Sequence, residues 1–449
     1  MKSIEESPIN RLVIRATAFT AGGMFCDGYI LGNIGIALGI AGPQLGMSNW
    51  MIGFIGAAAL AGIFFGSPLA GWISDRHGRR RVFTANLAIL LAASLLQLFV
   101  TDSIQLAILR IIVGMSIGAE YSIGAAYLSE VSPRKQRGAL LGSLNAAWIL
   151  GFAGSYFVGA LLRSRDVSWK IILASAAIPV ILVMIARIGA PESPRWLISK
   201  GRYDEADAII RDHWGNEYGV DVLKDSNVKK RRFTSLFAKG YRQRTVFAGL
   251  FWCCQSLPLF ALTIFLDRVL SIMKVDEEIK GALMMNFLYI VGAAMGIYFL
   301  KAMPRRTMVI GSFAIMTVLL LALSASDHLP GIAVMIVFAA FVTIGHSATN
   351  LQYVYPSEIF PTEVRSSGVG VAAAISRIGA AVSTFLLPAA LDQLGISVTM
   401  IILAAVTLVG FTISVAWAPE TRNLDLHAAG SVPNRETKTA KNAAPIVNC

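Results

Sequence analysis

The sequence predicts an all-α integral membrane fold, with twelve transmembrane helices arranged as two pseudo-symmetric six-helix bundles. Three observations support this prediction: the composition is strongly apolar, apolar segments of membrane-spanning length recur along the chain, and one motif returns at a fixed distance. Of the 449 residues, 55% are hydrophobic and 15% are charged, and the mean hydropathy is +0.63. A soluble domain of ordinary composition is far less apolar, so the chain is predicted to be a membrane protein.

Twelve segments are long and apolar enough to cross a bilayer, which takes about 20 residues per helix. The first segment is too long for the apolar core of a signal peptide and no small-residue cleavage site follows it, so we expect no cleaved signal. The segments are 12–39, 50–73, 82–101, 104–130, 138–162, 169–190, 244–270, 280–300, 307–325, 330–357, 366–391 and 395–418.

The formal net charge of +12 comes mostly from turns on one side of the predicted membrane. The positive-inside rule places these basic turns and both termini in the cytoplasm, and the chain in the cell membrane as a multi-pass protein. A further basic run at 229–232 suits a surface of anionic lipid, so the charge does not indicate a nucleic-acid partner. The basic turns contain Arg76, Arg79, Arg80, Arg81, Arg134, Lys135, Arg137, Lys301, Arg305 and Arg306.

No constellation in the sequence supports catalysis, a metal or a bound cofactor. The four cysteines show no C-x-x-C spacing, so we expect neither a structural disulfide nor a metal site. GMSIG at 114–118 matches the nucleophile elbow of serine hydrolases, but that motif requires a strand-to-helix turn and this one lies inside an apolar helix. We predict a monomeric protein that is not an enzyme and whose only energy source is a proton gradient.

Asp27 lies close to the middle of the first segment. An ionised side chain at membrane depth costs several kcal/mol, so this carboxylate must be solvated, paired or protonated. A buried carboxyl whose surroundings change can load and release a proton. We therefore predict that Asp27 couples proton movement to the function of the protein, with a static ion pair to Arg110 as the alternative.

The fourth segment carries three charged residues, with Arg110 toward the outer third, Glu120 near the middle and Glu130 at the cytoplasmic end. At a rise of 1.5 Å per residue, Arg110 and Glu120 are about 15 Å apart and cannot pair with each other. Each needs another partner. We predict that Arg110 and Glu120 belong to the proton-coupling machinery with Asp27.

The motif that ends the fourth segment, YLSEVSPRKQR, returns near the end of the tenth segment as YPSEIFPTEVR. The offset is 228 residues, and the same offset carries Pro191-Glu192 onto Pro419-Glu420. One rigid offset across two separate motifs indicates that the chain is two copies of a six-helix unit. The repeated residues are Tyr127, Ser129, Glu130, Pro133 and Arg137 in the first copy, and Tyr355, Ser357, Glu358, Pro361 and Arg365 in the second.

This duplication predicts four regions. Residues 1–190 form the first bundle, 191–243 a cytoplasmic linker with a short amphipathic helix at 201–214, 244–421 the second bundle, and 422–449 a disordered tail. A substrate path between such halves lies near the bilayer midplane, and one half rocks against the other to give alternating access.

The turn after the second segment, GWISDRHGRRR at 71–81, combines a glycine that lets helices touch with an aspartate and several arginines. We predict that this turn and the repeated Glu and Arg residues latch the cytoplasmic side shut; permanent structural capping is the alternative. The predicted gating residues are Gly71, Asp75, Arg76, Gly78, Arg79, Glu130, Arg137, Glu192, Arg195, Glu358, Arg365 and Glu420.

The pattern G-x-x-x-D-R-x-G-R-R between a second and a third membrane helix resembles the signature loop of the major facilitator superfamily. The Arg110 run with YLSEVSPRKQRG, PESPRWL after the sixth segment and PETR after the last are similar to the sugar porters and related metabolite:proton symporters. The resemblance implies the twelve-helix facilitator fold. It also implies that Asp27 works with Arg110, because proton-coupled members pair an aspartate on the first helix with this arginine.

The chain departs from the sugar porters where those proteins bind hexose. Their paired glutamines on the seventh helix and tryptophan motif on the tenth are replaced by CCQSLPLF and GHSATNLQY. GAEY around Glu120 and SRIG around Arg377 look more like the branch that carries organic acids and organic ions. We therefore favour an organic anion over a hexose as the substrate, with Arg377 as its counter-charge.

The predicted substrate-binding residues lie near mid-depth in both halves, although each is also compatible with a plain interhelical hydrogen bond. They are Tyr29, Glu120, Asn145, Trp148, Gln255, Asn286, Tyr289, His346, Asn350 and Arg377. Proton-driven symport of a small polar metabolite is the favoured function. A facilitator or a proton-driven efflux antiporter of the same fold is the alternative, and a non-transporting receptor is disfavoured.

Overall fold

The computed structural model describes residues 2–219, 233–238, 240–264 and 278–430. These residues form helices and short 3₁₀ turns, and their only β-structure is an isolated bridge between Lys2 and Tyr218. The first half contains α1 (Arg11–Gln44), α2 (Asn49–His77), α3 (Arg79–Leu96), α4 (Ser103–Val131), α5 (Arg137–Arg163), α6 (Trp169–Ala174) and α7 (Ala177–Arg187).

The linker contributes two short helices, and the second half repeats the plan of the first. The linker helices are α8 (Pro194–Ser199) and α9 (Tyr203–Trp214). The second half contains α10 (Arg242–Ile264), α11 (Glu278–Ala302), α12 (Arg305–Ser324), α13 (Gly331–Thr349), α14 (Leu351–Ile359) and α15 (Arg365–Trp417), and α16 (Leu426–Gly430) follows it.

The predicted twelve-helix membrane fold is confirmed. Eleven helices in the described ranges are long and apolar enough to cross a membrane, and the shorter apolar helix Phe287–Ala302 falls on the eighth segment. Two segments are interrupted in the described part of the chain, the sixth between α6 and α7 and the tenth at Asn350. The last two segments are instead joined within α15 through Gly395, whose φ is 76°. Residues 265–270 of the seventh segment lie outside the described residues.

Large apolar side chains cover the outside of the bundle. Phe65, Phe99, Ile178 and Leu182 are each more than 60% exposed. A soluble protein rarely leaves so much apolar surface in contact with water, whereas lipid tails solvate it without cost. The outward-facing side chains are thus those expected of membrane-spanning helices.

The two halves share one hydrophobic core on the side that carries the basic turns, which we call the basic face. That core joins Leu128 and Tyr127 of the first half to Phe247 and Tyr355 of the second. The described residues of the opposite face form two further cores, one within the first half and the other in the second half with only Ile149 from the first. The halves also meet where α2 packs on α15 and α5 packs on α11. The structure is therefore closed at the basic face.

The sequence repeat is reproduced in three-dimensional contacts. The Tyr127 hydroxyl donates to the Pro191 carbonyl at 3.1 Å, and the Tyr355 hydroxyl donates to the Pro419 carbonyl at 3.0 Å. Glu192 accepts hydrogen bonds from the first backbone N–H groups of α3, and Glu420 accepts the same bonds at the start of α12. Each carboxylate therefore satisfies N–H groups that have no partner inside the helix.

The linker helix α9 matches the predicted amphipathic helix. Its buried side chains are Ala206, Ile210 and Trp214, which recur at the spacing of one helix face. The Trp214 indole donates to Ser7 Oγ at 3.1 Å, so this face packs on the N-terminal segment. The short helix α8 was not predicted.

The N-terminal segment is held on the basic face through one buried carboxylate, Glu5. It accepts hydrogen bonds from Arg137 Nη2 at 3.0 Å, from Arg195 Nη2 and from the Leu426 backbone N–H at 3.1 Å, and Arg134 Nε lies 3.6 Å away. Glu5 therefore connects the first half, the linker and the start of the tail. Disorder was predicted from residue 422 onward, but residues 426–430 form α16; residues 431–449 lie outside the described residues.

Burial alone would raise the pKa of the Glu5 carboxyl, but Arg195, Arg137, the Leu426 N–H and Arg134 outweigh it and hold the pKa below its ordinary value. A carboxyl with a depressed folded-state pKa contributes stability above its unfolded pKa of about 4.3, and this contribution disappears as the pH falls through the folded-state value. We expect Glu5→Gln to lower the free energy of unfolding by on the order of 3–5 kcal/mol near pH 7, because it leaves buried arginines uncompensated.

The measurement is thermal unfolding of the purified protein in detergent between about pH 2.5 and pH 8, a range that extends below the unfolded pKa of a glutamate. The difference between wild type and Glu5→Gln should be largest near neutrality and should shrink below about pH 4.5. Glu6→Gln is the matched control, since Glu6 is the exposed neighbour. Equal destabilisation by both substitutions, or a difference that does not change with pH, would contradict the role of Glu5.

Candidate functional site

A buried ion-pair cluster closes the basic face, and we call Asp75, Arg79, Glu130 and Arg365 the latch. Glu130 Oε1 accepts hydrogen bonds from Arg79 Nη2 at 3.1 Å and from Arg365 Nη1 at 3.0 Å. Arg79 belongs to the same half as Glu130, whereas Arg365 belongs to the other half. The Glu130–Arg365 pair therefore joins the two halves directly.

Asp75 makes the second connection of the latch between the halves. One of its carboxylate oxygens accepts from Arg79 Nη1 at 2.5 Å, and the other accepts from the Ser367 backbone N–H at 2.9 Å. Gly71, one turn earlier, permits this approach, because a Cβ there would lie 2.5 Å from the Ser366 carbonyl oxygen. The residues of the signature loop thus contact the second half as the gating prediction requires.

Gly78 forms the turn between α2 and α3 at a φ of 104°, which favours glycine over any other residue. A side chain at this position would also meet Glu192 Oε2. Arg76 was predicted to belong to the gate, but it is exposed and its guanidinium lies 4.6 Å from the centre of the Trp72 ring. It points away from the contact between the halves and is not part of the latch.

The second copy of the latch motif has different partners. Glu358 accepts from Thr421 Oγ1 at 2.6 Å, and Arg305 Nη2 lies 3.7 Å from it. Arg305 occupies the place of Arg79, two residues out of step with the offset of 228. Arg137, the twin of Arg365, binds Glu5 instead of Glu358. Only the first copy therefore forms a strong ion pair between the halves.

Glu120 is held by an arginine that the sequence analysis missed. Arg187 of α7 donates from Nη1 to Glu120 Oε1 at 3.1 Å and from Nη2 to Oε2 at 2.9 Å, and Asn86 donates to Oε1 at 3.2 Å. The Arg187 guanidinium also stacks 3.3 Å from the centre of the Phe83 ring. This bidentate geometry neutralises both charges. It favours a structural role for Glu120 over the predicted proton-coupling and substrate-binding roles.

Asp27 and Arg110 are both buried but do not pair with each other. Asp27 is 0% exposed, and neither carboxylate oxygen has a hydrogen-bond partner among the described residues. Arg110, 1% exposed, donates from Nη2 to the Ile30 carbonyl at 3.0 Å. The static Asp27–Arg110 ion pair is therefore absent, and among the described residues Asp27 is the buried carboxylate that has no cation within 4 Å.

Arg377 lies between the halves without a carboxylate. Its Nε and Nη2 donate to Ser376 Oγ at 3.2 and 3.1 Å, and its guanidinium lies 5.7 Å from the Tyr121 ring and 5.4 Å from the Phe260 ring. Every other buried arginine in the described part of the chain except Arg110 has a carboxylate within 4 Å. Among the described residues, Arg110 and Arg377 are thus the two buried cations without a carboxylate, and Arg377 is the one that lies between the halves.

Polar and aromatic groups surround Arg377, and we call Tyr121, Tyr353, Gln255, Gln352 and Arg377 the central cluster. Tyr121 of the first half packs edge-on against Tyr353 of the second, with ring centres 6.0 Å apart. Gln352 Nε2 donates to Gln255 Oε1 at 2.8 Å. The charges of Arg377 and Asp27 act on the hydroxyls of both tyrosines. The carboxylate of Asp27 and the guanidinium of Arg377, which form no ion pair in the described part of the chain, thus adjoin one polar cluster at the junction of the halves.

Two of the predicted substrate residues, Trp148 and Asn145, adjoin the central cluster or contact the other half. Trp148 lies beside Tyr121 and stacks on Phe152. Asn145 donates to Thr349 Oγ1 of the second half at 2.7 Å. Asn145 therefore contacts the second half directly, and Trp148 adjoins the central cluster.

Other predicted substrate residues have structural partners or point elsewhere. The Tyr29 hydroxyl is hydrogen-bonded to Ser175 Oγ at 2.8 Å, inside the first half, which favours a structural role for this side chain. Asn350 donates to the Ala293 and Ser347 carbonyls and holds α11 against α13. The His346 ring packs on Tyr289 at 4.2 Å, and its Nε2 has no partner among the described residues. The side chain of Asn286 lies outside the described residues.

Comparison with known proteins agrees with this architecture. The family described as "Sugar (and other) transporter" matches residues 18–432. The inner membrane metabolite transport protein YgcS of Escherichia coli K12 is 38% identical over 96% of this chain and 96% of its own length. The arabinose-proton symporter of Bacillus subtilis is 25% identical over 89% and 90% of the two chains.

Solved structures show the same fold. The major facilitator superfamily proton:xylose symporter XylE, bound to 6-bromo-6-deoxy-D-glucose, superposes with a TM-score of 0.80 at 20% identity, covering 93% of this chain and 99% of XylE. An inward-open structure of XylE from E. coli superposes with a TM-score of 0.65 at 19% identity. The sequence match, the two six-helix halves and the superposition lead to one conclusion: this chain is a multi-pass membrane transporter of the sugar porter family within the major facilitator superfamily.

Proposed function

We propose that this transporter is a proton-coupled symporter that carries a small organic anion into the cell by alternating access. The observation that carries the proposal is the pair of unpaired charges next to the central cluster. Arg377 offers a buried cation to a substrate, and Asp27 offers a buried carboxylate to a proton. Both termini and the basic face would then lie in the cytoplasm, as the positive-inside rule requires.

Electrostatics would couple the two ligands. Like charges repel more strongly through a protein interior, where the effective dielectric constant is about 20, than through water, where it is about 80. An ionised Asp27 would therefore weaken the binding of an anion at Arg377, whereas a protonated Asp27 would not. By linkage the bound anion favours the protonated carboxyl to the same extent, so proton and anion would bind together.

The latch supplies the gate in this mechanism. The Glu130–Arg365 and Asp75–Ser367 contacts close the basic face while the central cluster lies beneath them. Release of substrate toward this face requires these contacts between the halves to break, and the Asp75–Arg79 and Arg79–Glu130 bonds can persist because they lie within one half. Each half would then move as a rigid body.

Proton coupling is tested with Asp27→Asn, because the neutral amide mimics the protonated carboxyl. A thermal-shift screen of the purified protein against neutral sugars, aliphatic acids and aromatic acids first selects the compound with the largest stabilisation as the probe. We expect Asp27→Asn to bind this probe with an affinity that does not change between pH 5.5 and 8, and to lose its accumulation against a gradient in proteoliposomes. Counterflow exchange of the probe should remain measurable.

Asp102→Asn is the matched control, since Asp102 caps α4 at an exposed position where asparagine caps equally well. Wild type and this control should alkalinise the outer medium when the probe is added. Acidification would indicate an antiporter, and no pH change with equilibration alone would indicate a facilitator. Accumulation by Asp27→Asn at the wild-type level would refute the coupling role.

The gate is tested with Arg365→Gln, which breaks the Glu130 contact between the halves but leaves Glu130 paired with Arg79. Hydrogen bonds to charged groups contribute about 1.5–3 kcal/mol, so the population open at the basic face should rise roughly tenfold or more. Spin labels are placed at the exposed positions Lys135 and Lys301, one in each half. Pulsed electron paramagnetic resonance then reports the open population as a longer distance between the two labels. Arg76→Gln removes a charge from the same face outside the latch and should leave the distance distribution unchanged; an equal effect of both variants would refute the assignment of the latch.

A further inference from the structure

Two buried N–H donors, on Gln255 and Trp252, have no acceptor among the described residues, and we call this part of the central cluster the amide side. Gln255 is 0% exposed, and its Nε2 has no partner among the described residues, while its Oε1 is taken by Gln352. Trp252, one turn earlier on α10, is also 0% exposed, with an Nε1 that lacks a partner in the described part of the chain. Buried donors are rarely left without an acceptor, so these two point to a ligand that carries acceptors.

Tyr353 connects this amide side to Arg377. Its ring packs on Trp252 with ring centres 5.6 Å apart and on Tyr121 with ring centres 6.0 Å apart. The Arg377 guanidinium lies 5.7 Å from the centre of the Tyr121 ring. Gln352, the chain neighbour of Tyr353, binds Gln255 and lies 3.5 Å from Ser256 Oγ. Arg377 and Trp252 therefore contact the same pair of tyrosines, Arg377 through Tyr121 and Trp252 through Tyr353. A single small molecule that reaches Arg377 also reaches the amide side.

Each side of the cluster selects a different chemical group. The planar guanidinium of Arg377 matches a carboxylate. The glutamine pair and the Trp252 indole match hydroxyls, which donate and accept, and the rings of Tyr121 and Tyr353 provide apolar faces for C–H groups. A plain fatty acid would leave the buried donors unsatisfied, and a neutral sugar would leave Arg377 without a counter-charge.

We propose that the substrate is a polyhydroxylated carboxylate, that is, a sugar acid of the aldonate or uronate class. This inference rests on the proposed anion symport and adds the requirement for hydroxyls. It also accounts for a sugar porter scaffold that carries an unpaired arginine at its centre. Arg377 binds the carboxylate, and Gln255 with Trp252 binds hydroxyls further along the chain of the substrate.

The test uses three six-carbon compounds that separate the two requirements: D-gluconate, D-glucitol without the carboxylate, and hexanoate without the hydroxyls. Binding to the purified full-length protein is measured by calorimetry near pH 6. We expect gluconate to bind at least tenfold more tightly than either of the others, because a site built for hydrogen bonds discriminates strongly against analogues that lack them. D-Glucuronate and D-galactonate are included to cover the ring form and a second hydroxyl stereochemistry.

Two variants assign the requirements to residues. Arg377→Gln should reduce the preference for gluconate over glucitol to less than about threefold, and Gln255→Leu should do the same for gluconate over hexanoate; each should keep the other preference. The wild-type comparison needs no variant to fold, so it decides the inference by itself. Hexanoate that binds as tightly as gluconate would overturn the sugar-acid assignment and leave anion symport intact.

Other outcomes have different consequences. Glucitol that binds as tightly as gluconate would overturn both the sugar-acid assignment and the anion symport. If D-gluconate, D-glucuronate and D-galactonate all fail to bind, while an organic acid of the wider screen does bind, only the sugar-acid assignment would be overturned. The failure of this inference and the failure of the proposed function can therefore be told apart.

Discussion

The cost of an unneutralised charge in the membrane interior is the constraint on which the rest of this structure depends. An ion at this depth costs several kcal/mol unless it is paired, solvated or protonated. The described part of the chain satisfies this constraint at Glu120 with Arg187 and Asn86, and at Glu130 with Arg79 and Arg365. Pairing fixes these helices to one another. Of the charges without a counter-charge in the described part of the chain, Arg110 is bound by a backbone carbonyl, whereas Asp27 and Arg377 are those that a mobile proton and a mobile anion can neutralise.

The duplication explains why the bundle is symmetric and why its chemistry is not. Contacts that build each half are repeated, such as those of Tyr127 with Pro191 and Tyr355 with Pro419. Contacts between the halves are not repeated, because Arg137 turns to Glu5 while its twin Arg365 binds Glu130. The N-terminal segment therefore takes the place of one of two equivalent latches, and a single strong ion pair remains to hold the halves together at the basic face.

The sequence predicted those features that depend on local pattern or on the repeat. Apolar length located the membrane helices, and the shared motif located Glu130 and Arg365 at the same face. The partners of buried charges could not be predicted, because they depend on which helices become neighbours. Arg187 interrupts an apolar run as visibly as Arg110 does, and this signal was available, but its pairing with Glu120 follows only from the packing of α7 on α3 and α1.

Glu5 gave no signal at all in the sequence. It lies in a short polar segment without periodicity, and its three arginines come from the turn before α5, the start of α5 and helix α8, which converge only in the folded protein. Tyr29 shows another limit of the sequence, since a polar group near mid-depth suggests a ligand, whereas in the structure its hydroxyl is directed to Ser175. The depth of a residue in the membrane can be inferred from its position in a helix, whereas the direction of its side chain depends on how the helices pack.

The separation of Asp27 from Arg110 bears on how a proton and an anion can be coupled. A permanent Asp27–Arg110 pair would hold the carboxylate ionised through every state, because removing one partner of a buried pair is strongly unfavourable. Arg110 of α4 instead donates to the Ile30 carbonyl of α1, about one turn after Asp27. The Arg110 guanidinium is thereby satisfied by a neutral group whose charge does not change, and in the proposed mechanism Asp27 is free to respond to an anion bound at Arg377. Coupling in such a site needs no direct contact between proton and substrate. It needs only two charges that interact electrostatically, so that neutralising one changes the affinity at the other.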